Sequence, residues 1–257
     1  MKAMPEILNT DVQIVLPLCI PYEVIAGGSC RDAILGEQPA DYDLFYSDTE
    51  MYKRACRALH RYGLRRTSVL EDTWKDAPSR TEVWVGEQFK FDMILRKCPI
   101  GRTLYVILNE FDFHMNCAFQ KQGENIRVKK DSLPMIHSRV AEICDRNMSL
   151  SITIGRGKKF RDRGWEMGAG TVSYMLEKAA IVLKNPEVHR QTEKRFVEFE
   201  EWSPSSGHYI VKMQDLLDDM LYLTNTDSLT LWFLSNNDEL MNAARKEFAR
   251  REGRHVV

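Results

Sequence analysis

The stretch that decides the fold of this chain is AGGSCRDAILG at residues 26–36, followed by DYDLF at residues 41–45. The apolar segment Val24–Ala26 predicts a short strand, and a Gly-Gly pair then separates it from a short helix. Because glycine has no Cβ, backbone N–H groups at such a turn can approach a phosphate closely, and Ser29 adds a hydroxyl. Most turns of this kind only connect two elements, so the turn alone is weak evidence for a phosphate site.

The two aspartates of the second stretch, Asp41 and Asp43, strengthen the case for a ligand site. Alternate residues of a strand point to the same face, so these carboxylates would lie side by side and repel each other without a cation. Such oxygens suit Mg²⁺, which binds through one or two carboxylates together with substrate phosphates. The alternative is a solvated D-x-D loop, but the apolar Leu44 and Phe45 that follow favour a strand.

These residues together resemble the head signature of a known family. The pattern Gly-Gly-x-x-Arg-Asp-x-x-Leu-Gly at 27–36, followed by Asp-x-Asp-Leu at 41–44, is similar to that of the class II CCA-adding enzymes and bacterial poly(A) polymerases. That family belongs to the DNA polymerase β-like nucleotidyltransferase superfamily. The segment DFHMNCA at 112–118 resembles the family's D-F-x-x-N-A element. The segment RGKKFRDRGW at 156–165 is similar to its neck helix, in which R-x-x-R-F is followed by R-x-G.

The periodicity of the chain predicts an α+β fold. The first half alternates strand-like and helix-like segments, including a helix that begins after Asp48 and a hairpin around Gly86, and the pattern turns helical from about residue 132. The resemblance implies a polymerase β-like nucleotidyltransferase head, a small mixed sheet with flanking helices, at 1–130, and an all-helical neck and body at 131–257. The helices predicted in this second part span 133–144, 155–167, 172–184, 187–202, 209–222 and 239–251.

The resemblance also implies how the site residues would act on a nucleoside triphosphate, ATP or CTP. Asp41 and Asp43 would bind two Mg²⁺ ions and carry the catalysis. Asp112 would contact the ribose 2′-hydroxyl, and Asn116 would support the nucleotide or the metal-binding strand. Arg31 would neutralise part of the triphosphate charge. The nucleotide-binding set at the turn comprises Gly27, Gly28, Ser29, Arg31 and Asp32.

Two further candidate sites lie outside these motifs. Superfamily members often carry a third carboxylate on a neighbouring strand, and Asp92 is the candidate here. A lone acid in an apolar strand is costly to bury, so it either joins the metal site or lies at a solvated edge. Arg156, Lys159 and Arg163 fall at helical spacing, which predicts a cationic stripe that binds the triphosphate or an RNA backbone. The alternative for the stripe is a solvated helix face.

Two departures from the family pattern affect triphosphate binding and leave the choice of nucleotide open, the first through an acid that opposes phosphate and the second through a missing selection element. The family usually has two arginines immediately before the aspartate of its second motif, and Glu110 and Phe111 occupy those positions here. The E-D-x-x-R element that selects CTP and ATP in the family's neck is not evident. Glu71, Asp72 and Lys75 have similar chemistry, but they precede the second motif.

Composition excludes several classes of protein. In 257 residues, 44% are hydrophobic and 28% charged, with a net charge of −1, which argues against a disordered, collagen-like or membrane-spanning chain. The six cysteines include no C-x-x-C pair, so a zinc site or disulfide framework is not expected. No signal peptide is evident, and we expect a cytosolic protein without a membrane partner.

The sequence therefore predicts a Mg²⁺-dependent nucleotidyltransferase. The enzyme would transfer a nucleoside monophosphate from a nucleoside triphosphate to an acceptor hydroxyl, favouring the 3′ end of an RNA such as tRNA, and release pyrophosphate. Two alternatives remain: transfer to a protein or small-molecule acceptor, and a non-catalytic module that binds nucleotide or RNA.

Overall fold

The apolar strand and the D-x-D strand expected from the deciding stretch are both present. Val24–Ala26 pairs antiparallel with Tyr42–Tyr46, so that Ala26 lies opposite Asp43. The computed structural model describes residues 4–74, 77–144, 150–184 and 223. The chain divides into two compact units, Met1–Ser138 and Arg139–Val257.

The first unit contains the eight strands β1–β8 and the four helices α1–α4 within its described residues. In chain order the elements are β1 (Ile7–Asn9), β2 (Val24–Ala26), α1 (Gly28–Ile34), β3 (Tyr42–Tyr46), α2 (Thr49–Arg61), β4 (Arg65–Trp74), β5 (Ala77–Val85), β6 (Lys90–Arg96), α3 (Ile100–Asn109), a 3₁₀ turn (His114–Asn116), β7 (Ala118–Lys121), β8 (Arg127–Lys129) and α4 (Ser132–Ser138).

All eight strands form one sheet in the order β1-β8-β7-β2-β3-β6-β5-β4. Strands β3 and β6 run parallel, whereas β2 with β3 and β5 with β6 are antiparallel. The sheet is mixed, as expected, but it is larger than the small sheet that the resemblance implied. The additional strands β1 and β8 have three residues each, too few to show a strand alternation in the sequence.

Helices pack on both faces of this sheet. Helix α2 packs on β3 and β6, with Tyr52 edge-on to Tyr46 at 5.6 Å between ring centroids. The opposite face carries Phe45 and Phe119, which are buried in a cluster with Ile107 of α3. Burying a side chain of this size contributes roughly 2 kcal/mol. This packing therefore fixes β2, β3 and β6, the strands on which the candidate site depends.

The local predictions for α2 and the hairpin are confirmed. The carboxylate of Asp48 caps α2 by accepting hydrogen bonds from the backbone N–H groups of Glu50 and Met51, which would otherwise lack helical partners. Strands β5 and β6 form the expected hairpin, and the N–H of Gly86 donates to the carbonyl of Phe89 across its turn.

The described part of the second unit contains helices α5 (Leu150–Arg161) and α6 (Ala169–Lys184) and the short parallel strands β9 (Val140–Ala141) and β10 (Glu166–Met167). The expectation of an all-helical region is therefore wrong for these residues. The helix predicted at 133–144 ends at Ser138, because Arg139 has a φ of 54°, which a right-handed helix cannot accommodate.

The remaining helix predictions of the second part have mixed outcomes. The helix predicted at 155–167 begins earlier, at Leu150, and ends at Arg161, shortly before Gly164 at a φ of 79°. The one predicted at 172–184 is present as α6. Those predicted at 187–202, 209–222 and 239–251 lie outside the described residues. Among the described helices, none has the length and apolar character needed to cross a membrane.

Candidate active site

Three aspartates meet where β3 and β6 begin. In the parallel register of these strands, Asp43 lies directly opposite Asp92, and Asp41 immediately precedes β3. Paired residues of neighbouring strands project from the same face and are about 5 Å apart. The side chains of Asp41 and Asp92 are 32% and 22% exposed. The carboxylates are thus gathered at the surface of one sheet face, within reach of solvent.

A lysine lies among these carboxylates. The Nζ of Lys90 is 3.6 Å from Oδ2 of Asp41 and 3.4 Å from Oδ2 of Asp92. Burial alone would lower the pKa of Lys90, but the negative charges of Asp92, Asp41 and Asp43 outweigh burial and raise the pKa. Three carboxylates and one ammonium leave this group with a formal net charge of −2.

The glycine turn lies against the same carboxylates. Gly27 has a φ of 77° and a ψ of −133°, and its N–H donates to the carbonyl of Ala118. A Cβ added at Gly27 would lie 3.3 Å from Oδ2 of Asp43 and 3.3 Å from the ring of Phe111. Only glycine combines this backbone conformation with such a close approach. The backbone at Gly27 therefore lies directly beside Asp43, with no side chain between them.

The polar residues of the turn make contacts inside the protein. The guanidinium of Arg31 donates to Oδ1 of Asp32 at 2.8 and 2.6 Å and to Oδ1 of Asn116 at 2.8 Å. Arg31 and Asp32 are both buried. The hydroxyl of Ser29 is also buried and donates to the carbonyl of Ala26. This network ties α1 to the 3₁₀ turn, and an Nη atom of Arg31 lies 3.5 Å from the Cβ position of Gly28, the half-buried residue that begins α1.

The second motif lies beside the turn, with an aromatic ring next to the glycine. Phe111 packs on Phe45 at 6.3 Å between ring centroids and borders Gly27. Glu110 pairs with Arg102 at 3.7 Å, so the acid found in place of a family arginine is partly neutralised by α3. Asp112 is half-buried in the same loop.

The predicted site residues fall into two groups. Those at the turn, on β3 and β6 and in the second motif belong to the first unit, where the structure brings Gly27 and Asp43 together. Arg156 and Lys159 belong to the second unit, where both are exposed on α5, while Phe160 on the same helix packs against Trp165.

Lys90 and Phe111 are the two residues at the site to which sequence reasoning gave no role there. The segment KFD at 90–92 places Lys90 and Asp92 on one face of a strand, so this alternation could have revealed the lysine. No local pattern indicates that the ring of Phe111 packs beside Gly27, because that contact depends on how the loop after α3 folds back on the sheet.

The residues present fit a divalent cation. Carboxylate oxygens are the hard donors that Mg²⁺ prefers, and the ammonium of Lys90 shows that a positive charge is accommodated between Asp41 and Asp92. Burial raises the pKa of the Cys30 thiol beneath the turn, and the charges of Asp43 and Asp32 raise it further.

No family model and no curated protein matches this chain. Among solved structures, it is similar to a CCA-adding enzyme in complex with CTP, at 14% identity over 81% of this chain and 44% of that one, with a TM-score of 0.44. It is similar to a tRNA nucleotidyltransferase complexed with a primer tRNA and an incoming ATP analogue, at 14% identity over 62% of this chain and 47% of that one, with a TM-score of 0.43. It is similar to the Thermotoga maritima CCA-adding enzyme complexed with tRNA, at 17% identity over 91% of this chain and 62% of that one, with a TM-score of 0.39. The chain therefore spans less than two thirds of the length of each of these proteins.

Proposed function

We propose that this chain is a nucleotidyltransferase that moves a nucleoside monophosphate from a nucleoside triphosphate to an acceptor hydroxyl. One observation carries the proposal: the parallel register that sets Asp43 opposite Asp92 occurs beside the Gly27 turn, which lies so close that a Cβ added at Gly27 would be 3.3 Å from the carboxylate of Asp43. Backbone without side chains next to clustered carboxylates suits a metal-bound polyphosphate, because the phosphates can approach the backbone of the turn closely.

Asp41, Asp43 and Asp92 are the residues that would hold Mg²⁺. When bound, the ions supply charge neutralisation for the phosphates and activate the attacking hydroxyl. Lys90, which already pairs with two of the carboxylates, would keep them close together before the substrate arrives.

In the proposed reaction the acceptor oxygen forms a bond to the α-phosphorus of the nucleotide. The bond from that phosphorus to the oxygen bridging to the β-phosphate breaks, and pyrophosphate leaves with that oxygen. We assign a carboxylate oxygen of Asp92 as the acceptor of the hydroxyl proton. The Gly27 turn would position the polyphosphate through backbone N–H groups, and Arg31, which is paired with Asp32 beneath Gly28, would hold the start of α1 in place.

The favoured acceptor is the 3′ end of an RNA, plausibly a tRNA, and the favoured nucleotides are ATP and CTP. Support comes from the resemblance of the turn, of the D-x-D strand and of the second motif, in which Asp112 would contact the ribose. Arg156 and Lys159 would bind phosphates of the triphosphate or the RNA. Cytosolic RNA would be the natural partner of such an enzyme.

A protein or small-molecule acceptor is the second candidate. The position where the family usually has an arginine holds Glu110, and this acid is only partly neutralised by Arg102 at 3.7 Å. An acid here weakens the attraction for a polyanion such as RNA, which favours a smaller or less charged acceptor.

The function is tested by incubating the full chain with α-³²P-labelled ATP or CTP, Mg²⁺ and tRNA lacking its 3′ end. We expect labelled RNA from the unchanged chain and a loss of about a thousandfold or more in D41N/D43N, since the charge that holds the metal is removed. Asp72→Asn, an exposed acid on β4, is the control and should retain activity. Labelling that survives in the double variant would refute the assigned centre.

The acceptor is identified by separating the same reaction into RNA, protein and small-molecule fractions. Label in RNA supports the RNA 3′ end as the acceptor, and label in the protein or small-molecule fraction supports the second candidate. RNA binding without pyrophosphate release, over several divalent ions, would contradict both and indicate a non-catalytic module.

A further inference from the structure

A second charged site lies on the face of the sheet opposite the aspartates. Residues of β5 and β6 alternate between faces, and Glu82 pairs with Met93, one position along from the pair formed by Val83 and Asp92. Glu82 therefore projects from the α2 side of the sheet. A cleft of about 530 Å³ opens there between α2 and the β4–β5 hairpin, with Glu82 and Tyr52 in its lining.

Glu82 is a buried acid held by a dense set of donors. Its Oε1 accepts hydrogen bonds from Arg80 at 2.9 and 2.7 Å and pairs with Arg66 at 3.4 Å, and its Oε2 accepts from the indole N–H of Trp84 at 3.3 Å. Burial alone would raise the pKa of Glu82, but the bonds and charges of Arg80 and Arg66 outweigh it and lower the pKa. The floor of the cleft is thus a rigid, charged platform.

Tyr52 gives the second, independent observation. Its side chain is more than nine-tenths buried, and its hydroxyl lies near Glu82, Arg80 and Cys56 without meeting any of them in the geometry of a good hydrogen bond. Burial, followed by the charges of Cys56 and Glu82, raises the pKa of Tyr52, so the group is a neutral donor near pH 7. A buried hydroxyl that makes no well-formed hydrogen bond is costly, and Tyr52 lines a cleft that a ligand can enter.

The charge of the lining determines which ligand fits. Lys53, Arg57, Arg66 and Arg80 line the cleft, against the single acid Glu82. Glu50 and Glu71 pair with Lys53 and Arg80 on their exposed sides. Arg57 has no ion pair among the described residues, and Arg66 is half exposed, so both can turn to an anion in the cleft. Guanidinium groups and a hydroxyl donor are the usual partners of phosphate.

We infer that this cleft binds the phosphate group of a small phosphorylated molecule. Tyr52 donates its hydroxyl to a phosphate oxygen, and Arg57 and Arg66 neutralise the charge. The volume of the cleft lies in the range of small-ligand sites, about 300–1,000 Å³, which favours a compact ligand over a polymer that needs a long groove. The inference does not depend on the proposed transfer reaction, because the two sites lie on opposite faces of the sheet.

The test is calorimetric titration of the full chain with inorganic phosphate and with AMP, in EDTA. Without a divalent ion the aspartate site repels anions, so binding reports on the cleft. We expect Tyr52→Phe and Arg66→Gln each to weaken binding about tenfold or more, as expected for a hydrogen bond or charge lost from a phosphate. The matched controls are Tyr62→Phe and Arg65→Gln, which change exposed neighbours outside the cleft lining and should bind as the unchanged chain does.

A second measurement guards against misfolding of the variants. Without ligand, Tyr52→Phe should have an equal or higher Tm, because it removes a buried hydroxyl that makes no well-formed hydrogen bond. Phosphate should then raise the Tm of the unchanged chain more than that of Tyr52→Phe. Binding that is absent, or equally strong in cleft and control variants, would overturn the inference. An RNA oligonucleotide without terminal phosphates that displaces phosphate would also overturn it, and would assign the cleft to nucleic acid.

Discussion

The two faces of one sheet carry different arrangements of charge. On one face, the carboxylates of Asp41, Asp43 and Asp92 lie around the ammonium of Lys90. On the other face, the buried carboxylate of Glu82 pairs with Arg66 and Arg80. Asp92 and Glu82 lie in neighbouring positions of the β5–β6 ladder, and only the alternation of side chains across the pleat separates their environments.

The difference shows two ways in which a buried or half-buried acid can obtain its counter-charges and hydrogen bonds. Glu82 obtains its counter-charges and hydrogen bonds from the protein itself, which makes it a structural element. The aspartates lie around the ammonium of Lys90 at the surface of the sheet, where Asp41 and Asp92 are within reach of a cation from solution. The side chains gathered on each face therefore favour different ligands: a divalent cation at the aspartates and an anion at the opposite cleft.

The largest expected effect on stability comes from the glycine turn beside the aspartates. Gly27→Ala should lower the free energy of unfolding by about 3 kcal/mol, because its φ of 77° with a ψ of −133° is nearly restricted to glycine and the new methyl crowds Asp43. Gly36→Ala is the matched control: φ is 71°, but no atom lies within 4 Å of its Cβ position. It should lose only about 1 kcal/mol, measured by urea unfolding. Equal losses of unfolding free energy in the two variants would mean that Gly27 is not in close contact with the carboxylate of Asp43.

The next effect tests whether Glu82 is structural. Glu82→Gln should lower the free energy of unfolding by about 2 kcal/mol, since it removes the buried charge that pairs with Arg80 and Arg66. Glu71→Gln removes an exposed partner of the same Arg80, at 2.5 Å, and should lose no more than about 0.5 kcal/mol. If the two variants were equally stable, the ion pairs of Glu82 with Arg80 and Arg66 would contribute nothing to the free energy of unfolding.

The same two variants differ in their dependence on pH. The folded state lowers the pKa of Glu82 below its ordinary value of 4.5, so its stabilisation is fully present above pH 4.5 and is lost as the pH falls through the lower, folded pKa. Urea unfolding between pH 7 and pH 3 should therefore show a smaller loss of stability in Glu82→Gln than in Glu71→Gln. An unchanged slope in Glu82→Gln would place the acid-sensitive groups elsewhere.

Local structure in the first unit could be predicted because short-range signals determine it. The Gly-Gly pair ends β2, Asp48 caps α2, and the β5–β6 hairpin follows from apolar alternation around Gly86. The helix predicted at 133–144 failed because Arg139 adopts a positive φ, which a periodicity argument does not consider. Helices and strands repeat a pattern over many residues, whereas an unusual backbone conformation at a single residue leaves no such pattern.

The candidate site was less accessible to sequence reasoning because it depends on long-range register. Asp43 and Asp92 are about fifty residues apart, and no local pattern states that their strands pair in parallel with these two residues opposite each other. The local sequence also does not predict that the hydroxyl of Ser29 points inward or that Arg31 and Asp32 form a buried pair, because each of these side chains could have faced solvent in a short helix. Their predicted roles toward phosphate stay predictions.

The smallest expected effect concerns the ammonium in the acidic site. Lys90→Met removes the ammonium that pairs with both Asp41 and Asp92, so in EDTA the free energy of unfolding should fall by about 1 kcal/mol through carboxylate repulsion. Mg²⁺ should then bind more tightly and raise the Tm of Lys90→Met more than that of the unchanged chain. Lys53→Met, which removes an exposed lysine paired with Glu50, is the control and should respond to Mg²⁺ as the unchanged chain does. Competition with Mn²⁺, followed by electron paramagnetic resonance, measures the affinity directly. If Mg²⁺ stabilised Lys90→Met no more than Lys53→Met, Lys90 would not share the site of the divalent ion, and the difference between the two faces would have no bearing on metal binding.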